Sequence, residues 1–370
     1  MYLKHPASPG VFLSAQYVST AGFPPARPTV IIPIMKSIII YIASLLLISP
    51  CHAEWYKQSE GIMGTPVNVE LWSNSAEQAD ICIKQVMAEM HRIDELMSPY
   101  KKESELALIN TRASQHPVTV SKELFGLIQQ SIQLSEISNG AFDITFASIG
   151  YQYDYRKGDK PSDQTITTLL DRIDYRNIQL DEKKLSVQFS KADVRIDLGG
   201  IAKGYAVDNG IRILQACGIK QALISAGGDS RIIGDRKGRP WMTGVRHPRN
   251  EDKKGSVVVI PLSDTAVSTS GDYERYFIKD GIRYHHIISP KTGKSAKGAQ
   301  SVTVLGPDAV TTDGLSTTLF VLGVKKGMAL AEKLEGIDAV IIDAKGKIHY
   351  SSGLMPPNSQ NNEERQTERQ

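Results

Sequence analysis

The sequence predicts an α+β fold, and three observations lead to it. Residues 65–72 (TPVNVELW) alternate apolar and polar side chains, the period of a half-buried strand. Directly afterwards, Ile81, Val86, Met90, Ile93 and Met97 recur at helical spacing. Further along, short strand-like runs and helical stretches mix without a regular βαβ rhythm and without internal repeats, which argues against a doubly wound parallel sheet. The 370 residues, 41% hydrophobic and 22% charged, have ordinary globular composition. They suffice for one large domain or two smaller ones.

The elements follow in order. From Met35 the chain reads MKSIIIYIASLLLISPCHAEW: one basic residue, an apolar run over 38–48, then Cys51-His52-Ala53. This is the layout of a secretory signal, and its apolar run is too short for a stable membrane-spanning helix. A signal peptide over 35–53, cleaved after Ala53, is expected. Lipidation at Cys51 is the alternative, although Pro50 stands where a lipoprotein signal carries Gly or Ala. Residues 1–34 form an upstream leader, and Met35 is the expected start of translation; an unprocessed protein beginning at Met1 would reject that. One domain is expected over 54–352, then a disordered tail over 353–370, rich in Pro, Asn, Gln, Glu and Arg.

Within the domain, Ser75 caps the first helix, which ends at Ser98-Pro99-Tyr100. A second helix is predicted over 122–138, with Ser121 as N-cap and Gly140 beyond its end. Strands are predicted at 177–180, 185–189 and 194–198, and a helix from Ala202 to about Cys217 after Gly199-Gly200. More strands follow at 222–225, 231–233 and 257–262, with a hairpin around Asp280-Gly281. The strand 302–305 precedes helices near 312–322 and 326–334, and strands 339–342 and 347–350 close the fold.

Composition excludes some classes. Removing residues 1–53 takes away Lys4, Arg27 and Lys36 and no acidic residue, so 43 basic side chains fall to 40, equal to the 40 acidic ones. That balance gives no electrostatic case for nucleic acid or an anionic membrane surface. Three cysteines make no disulfide framework, and with Cys51 in the signal, Cys82 and Cys217 are expected as buried free thiols rather than a bridge.

Three segments carry chemistry. In VRIDLGGIAKGYA (194–206) a strand runs through Gly199-Gly200 into a helix, where close backbone approach and unpaired helix N–H groups suit an anion. Asp197 can bind a ligand hydroxyl or nitrogen, and Lys203 can face a phosphate; a tight turn with a surface lysine is the plainer alternative. In TTDGLSTTLF (311–320), Asp313 and Thr317 share one helix face, and a carboxylate with a hydroxyl suits a hard cation such as magnesium. Helix capping would also explain them. In YHHIISPKTG (284–293), a histidine ending a strand can take a proton near neutral pH, unless the pair is simply half exposed. No HExxH motif or cysteine cluster suggests zinc.

Taken in order, these segments resemble the ApbE-type family of FAD:protein FMN transferases. The similarity runs from about Gly61 to Tyr350. It includes Met63-Gly64-Thr65, Met97-Ser98-Pro99-Tyr100, Gly140-Ala141-Phe142-Asp143, DLGGIAKGYA, Ser225-Ala226-Gly227-Gly228, STSGDYERYF, HIISPKTG and TTDGLSTTLFVLG. The resemblance implies mixed sheets and helices forming two lobes around a flavin cleft, a T-fold-like arrangement. Met63, Tyr100, Ala141, Phe142, Asp143, Asp197, Lys203 and Ile288 would contact FAD; Gly200, Asp313 and Thr317 would hold magnesium; His286 would be the base. Ser289 replaces the Asp of the common HIIDP pattern, and Ile144 stands where many members have Pro.

The implied reaction is transfer of FMN from FAD to a Thr or Ser hydroxyl on an exported or membrane redox subunit bearing a Ser/Thr-Gly-Ala-Ser/Thr stretch, with release of AMP. The expected location is the periplasm, with any membrane link made through the partner or a lipid on Cys51. The same residues also suit a magnesium-dependent FAD pyrophosphatase yielding FMN and AMP, or a flavin-binding protein without turnover.

Overall fold

The computed structural model describes residues 53–249 and 255–355. The leader, the signal through His52 with Cys51, and the tail beyond Met355 lie outside the described residues.

The first hairpin joins β1 (Glu54–Ile62) to β2 (Thr65–Ser73) through Met63-Gly64. Both turn residues have positive φ, 55° and 71°, the left-handed pair that matches strand twist in a two-residue turn. Helix α1 (Ala76–Met97) is capped by Ser75, whose hydroxyl accepts from the Gln78 N–H at 3.2 Å. Its buried stripe contains Cys82, Ile83, Val86, Met87, Met90, Ile93 and Met97. Ile81, expected on that stripe, is instead 47% exposed, because five residues from Ile81 to Val86 overshoot one helical face. Helix α2 (Glu105–Arg112) and β3 (Val118–Thr119) lead to α3 (Lys122–Ile137). The α3 cap is Ser121, and the helix ends through Asn139 and Gly140 with the Gly140 N–H on the Ser135 carbonyl at 2.8 Å.

Short helices α4 (Ala147–Gly150) and α5 (Asp163–Leu169) precede β4 (Ile178–Asp181) and β5 (Ser186–Phe189), which form a three-stranded sheet with β3. Residues 194–198, predicted as a strand, join no ladder. Their N–H groups turn to other partners: Arg195 to Ser148 Oγ at 3.0 Å, Ile196 to Asn110 Oδ1 at 2.7 Å and Asp197 to the Ile144 carbonyl at 3.0 Å. The segment is extended and satisfied, but by loops.

After helix α6 (Ala202–Ala216) come β6 (Ala222–Ala226), β7 (Asp229–Ile233), β8 (Trp241–Arg246), β9 (Ser256–Leu262) and β10 (Ala266–Gly271). Then follow β11 (Tyr276–Lys279), β12 (Ile282–His285), β13 (Ala299–Gly306), helix α7 (Ala309–Ala331), β14 (Asp338–Asp343) and β15 (Ile348–Tyr350). Gly323, at φ 70° and ψ −177°, breaks α7 where two helices were expected. Eight strands make the main sheet in the order β1-β2-β6-β7-β10-β13-β14-β15, antiparallel throughout.

Helices α1, α6 and α7 pack in succession, and α7 lies against β10 and β13. On the reverse face, Trp241 of β8 and Leu262 of β9 pack with Ile232, Val267 and Leu305. Every residue of β13 is therefore buried. A smaller core gathers Ile149, Tyr153, Ile166, Ile173 and Ile288. Cys82 and Cys217 form a disulfide between α1 and the end of α6, with Cα atoms 6.3 Å apart, which corrects the expectation of free thiols. Periodicity gave each cysteine a helix; only the packing of α1 on α6 brings the two together.

Candidate active site

The turn before α6 is where the first site group forms. Asp197 bends its carboxylate onto that turn, accepting the Gly199 N–H at 2.6 Å and the Tyr151 hydroxyl at 3.3 Å. Burial pushes its carboxyl up, against those two hydrogen bonds and the charges of Arg275 and Lys203. A Cβ on Gly200 would sit 3.3 Å from the Phe142 ring and 3.4 Å from Thr317 Oγ1. The Gly-Gly turn thus meets the third turn of α7.

Helices α6 and α7 touch backbone to backbone at Gly204, where a Cβ would overlap the Ala309 carbonyl and lie 2.8 Å from Asp313 Cβ. The Gly204 N–H donates to Asp313 Oδ2 at 3.0 Å. Asp308, not Asp313, caps α7, accepting from the Thr311 N–H at 2.8 Å. Capping therefore does not explain Asp313, which lies 2% exposed in the next turn.

Lys203 is neither a loose surface lysine nor aimed at open solvent. Its ammonium lies 2.7 Å from Asp229 Oδ2 and 3.3 Å from Asp313 Oδ2, and also donates to the Gly199 carbonyl at 3.1 Å. One lysine thus faces two buried carboxylates. Burial and the Asp229 charge push the Asp313 carboxyl up, and Lys203 offsets this only in part. Burial disfavours the Lys203 charge, but Asp229 and Asp313 outweigh it and hold the ammonium protonated. Thr317 adds a hydroxyl, 3.2 Å from Ser270 Oγ. Among the described residues no group of three or more His, Cys, Asp or Glu is placed to hold a metal. These oxygens, with excess negative charge and a glycine carbonyl beside them, fit a hard dication that takes few protein ligands.

His286 directly follows β12. Both its N–H, at 3.1 Å, and its Nδ1, at 3.3 Å, reach the Arg275 carbonyl. A carbonyl only accepts, so Nδ1 carries the hydrogen and Nε2 keeps its lone pair. Burial, then the charges of Arg275 and His285, push this imidazole down to about 3, leaving it neutral at pH 7. Arg275 and Lys203 act on both His286 and Asp197, which puts the histidine and the Gly-Gly turn in one electrostatic neighbourhood. His285 is buried and donates from Nε2 to the Ala296 carbonyl at 2.9 Å, so it is not the free base.

The remaining expected residues divide. Tyr100, 74% exposed, meets Tyr151 edge to face at 6.2 Å and presents an open aromatic surface. Met63 forms the β1–β2 turn, and the following Thr65 crowds Gly227, where a Cβ would come within 2.7 Å of its hydroxyl. Ala141 and Phe142 are buried, and Phe142 backs Gly200. Asp143 directs its carboxylate inward, accepting from Thr145 N at 2.8 Å, Thr145 Oγ1 at 2.6 Å and Tyr175 N at 2.8 Å. Its side chain holds the loop together. Ile288 lies in the smaller core.

Sequence reasoning missed four groups: Asp229, Tyr151, Arg275 and Asp208. Asp229 follows the Ser225-Ala226-Gly227-Gly228 stretch directly, and that adjacency was a usable signal. Asp208 accepts from the Ala309 and Val310 N–H groups at 3.0 and 2.9 Å and pairs with Arg231 at 2.6 Å, fixing the start of α7. Nothing in its sequence surroundings marks it.

The ApbE family profile matches residues 63–341. A Vibrio cholerae protein named FAD:protein FMN transferase is 33% identical over 337 residues, covering 87% of this chain and 99% of its own. One of that name from Treponema pallidum is 30% identical over 322 residues, covering 81% and 88%. Among solved structures, the ApbE protein of Thermotoga maritima superposes with a TM-score of 0.74 at 35% identity, covering 81% of this chain and 98% of its own. The flavin transferase ApbE from Vibrio cholerae does so with a TM-score of 0.73 at 29% identity and the same coverage. With the family profile, a relative 33% identical over most of both chains and a solved member at a TM-score of 0.74 in agreement, the chain belongs to the ApbE family.

Proposed function

We propose that the protein is an FAD:protein FMN transferase, which moves FMN from FAD onto a threonine or serine hydroxyl of another protein and releases AMP. The observation that carries this is His286 held through Nδ1 by the Arg275 carbonyl, its Nε2 lone pair free, in the electrostatic neighbourhood where Gly200, Asp313 and Thr317 meet. The names of the curated relatives point the same way.

In this reading Gly200, Asp313 and Thr317 hold magnesium, which when bound neutralises charge on the pyrophosphate. Tyr100 and Met63 offer surface to the flavin ring, and Asp197 receives a ligand hydroxyl or nitrogen. As the acceptor oxygen attacks the FMN phosphorus, His286 Nε2 takes the hydroxyl proton. The bond from that phosphorus to the AMP oxygen breaks, and AMP leaves with the electron pair. Arg275 adds positive charge beside His286.

The acceptor fits an exported or membrane redox subunit carrying a Ser/Thr-Gly-Ala-Ser/Thr stretch. Two features support export to the periplasm: the signal beginning at Met35, and the Cys82–Cys217 disulfide, a bond that persists in oxidising compartments. The test is mass spectrometry of such an acceptor after incubation with FAD and magnesium. The acceptor should gain the mass of FMN, and Asp313→Ala should abolish the gain. His286→Ala should lose transfer and keep FAD affinity; equal loss of both would make the residue structural. Rapid free FMN without acceptor would favour hydrolysis instead.

A further inference from the structure

We propose that the β8–β9 hairpin is a strut that holds His286 in its working tautomer, acting through Arg249 and Asp272. This rests on the reading of His286 as the base, and makes Arg249 and Asp272 positioning residues that need not touch substrate.

The hairpin is a separate two-stranded sheet, anchored by Trp241 and Leu262 on the reverse face of the main sheet. At the end of β8 and just beyond it, two arginines reach the segment that links β10 to β11. Arg246 pairs with Glu274 and lies 4.3 Å over the Tyr273 ring. Arg249 forks onto Asp272, donating from Nη1 to Oδ1 at 2.7 Å and from Nη2 to Oδ2 at 2.6 Å. Such two-pronged, charge-assisted pairs fix orientation as well as distance. The Asp272 carboxylate is 8% exposed, so the pair is well shielded on that side. The Asp272 backbone is also tied, its N–H to the Gln300 carbonyl at 3.0 Å and its carbonyl to Arg283 at 3.5 Å.

Three residues later the same turn presents the Arg275 carbonyl, which accepts both the N–H and Nδ1 of His286. That carbonyl decides which ring nitrogen carries the hydrogen. Its position depends on a turn whose far end Arg249 clamps. The charged and titratable groups acting on the ring are Arg275 on this turn, His285 on β12 and Lys203 on α6. Releasing the clamp would free Nδ1 from the Arg275 carbonyl, so that both nitrogens could carry the hydrogen.

The test uses the full chain labelled with ¹⁵N-histidine, with the His286 signals assigned through His286→Gln. Two-bond ¹H–¹⁵N spectra should show the Nδ1–H tautomer in the unaltered protein. In Arg249→Met and Asp272→Asn the Nε2–H tautomer should appear beside the Nδ1–H form. Transfer turnover should fall about tenfold, with KM for FAD within about twofold. Arg249→Lys, which keeps the charge and loses the fork, should lie between, and it decides the matter if Arg249→Met does not fold. An unchanged tautomer in folded variants would overturn the strut. The spectra need no acceptor: a changed tautomer with unchanged transfer would support the strut and reject His286 as the base.

Discussion

Met63 occupies a backbone conformation that methionine rarely adopts, at φ 55° in the two-residue turn between β1 and β2. Asn, Asp or Gly is the residue such a turn prefers at its first position, and a non-glycine left-handed residue costs on the order of 1 kcal/mol or more. In the proposed reading, contact with the flavin is what keeps the strained residue there. Met63→Asn should therefore raise stability in urea unfolding by about 0.5–1 kcal/mol and weaken FAD binding. Unchanged FAD affinity would remove Met63 from the flavin contact. Residue types alone were a weaker guide. A carboxylate in a Phe-Asp pair suits ligand contact and loop capping equally, and for Asp143 the inward hydrogen bonds to Thr145 and Tyr175 show the second. That one histidine of the pair could take a proton was legible from residue type, but the tautomer of His286 was not, because the deciding carbonyl belongs to Arg275, eleven positions earlier.

At the scale of elements, the site depends on how α6 and α7 cross. Gly204 admits the Ala309 carbonyl, and Asp208 ties the first N–H groups of α7 to α6 and to Arg231 on β7. Asp208→Ala would leave a half-buried arginine and two helix N–H groups without their partner. It should cost about 3–5 kcal/mol, read as a fall in the denaturant midpoint. A loss below about 1 kcal/mol would mean that water replaces the carboxylate easily. The disulfide makes a second tie, from α1 to α6, and Cys82→Ser should cost about 2–4 kcal/mol by the same measurement. Equal stability with and without reductant would deny it a structural part. Elements with local signals were readable: Ser75 and Ser121 cap the helices expected of them, and the Asp280-Gly281 hairpin stands where its turn residues put it. Strand β1 was not, because it is mostly exposed and EWYKQSEGI has no regular alternation. Nor was β8, although it leads directly to Arg249, on which the strut depends. Pairing across helices and sheets is tertiary information, and the disulfide and the Arg249–Asp272 fork both belong to it.

For the whole molecule, the buried ionisable groups oppose one another in their response to pH. Burial lowers His285, and it lowers His286 to about 3. A folded-state value below the unfolded one means the unfolded chain binds more protons in between, so stability is present above about 6.5 and is lost as pH falls. Burial raises Asp143, Asp197 and Asp313. For these the folded chain binds protons first, so stability is gained as pH falls toward the unfolded carboxyl value. The two sets offset each other over the mildly acidic range, and the stability of the whole chain should vary less with pH than either set alone requires. A difference measurement separates them. Unfolding free energies of the unaltered protein and of His286→Gln, compared from pH 7 down to pH 4, share the carboxylates and differ in the histidine. Relative to the variant, the unaltered protein should lose up to about 1.4 kcal/mol per pH unit below about pH 6.5, and nothing above it. A difference that stays flat through that range would show that the folded ring takes up its proton as readily as the unfolded one. Burial beside Arg275 would then not hold His286 neutral, and the free Nε2 lone pair on which proton removal depends would be lost at the same pH as in an ordinary histidine.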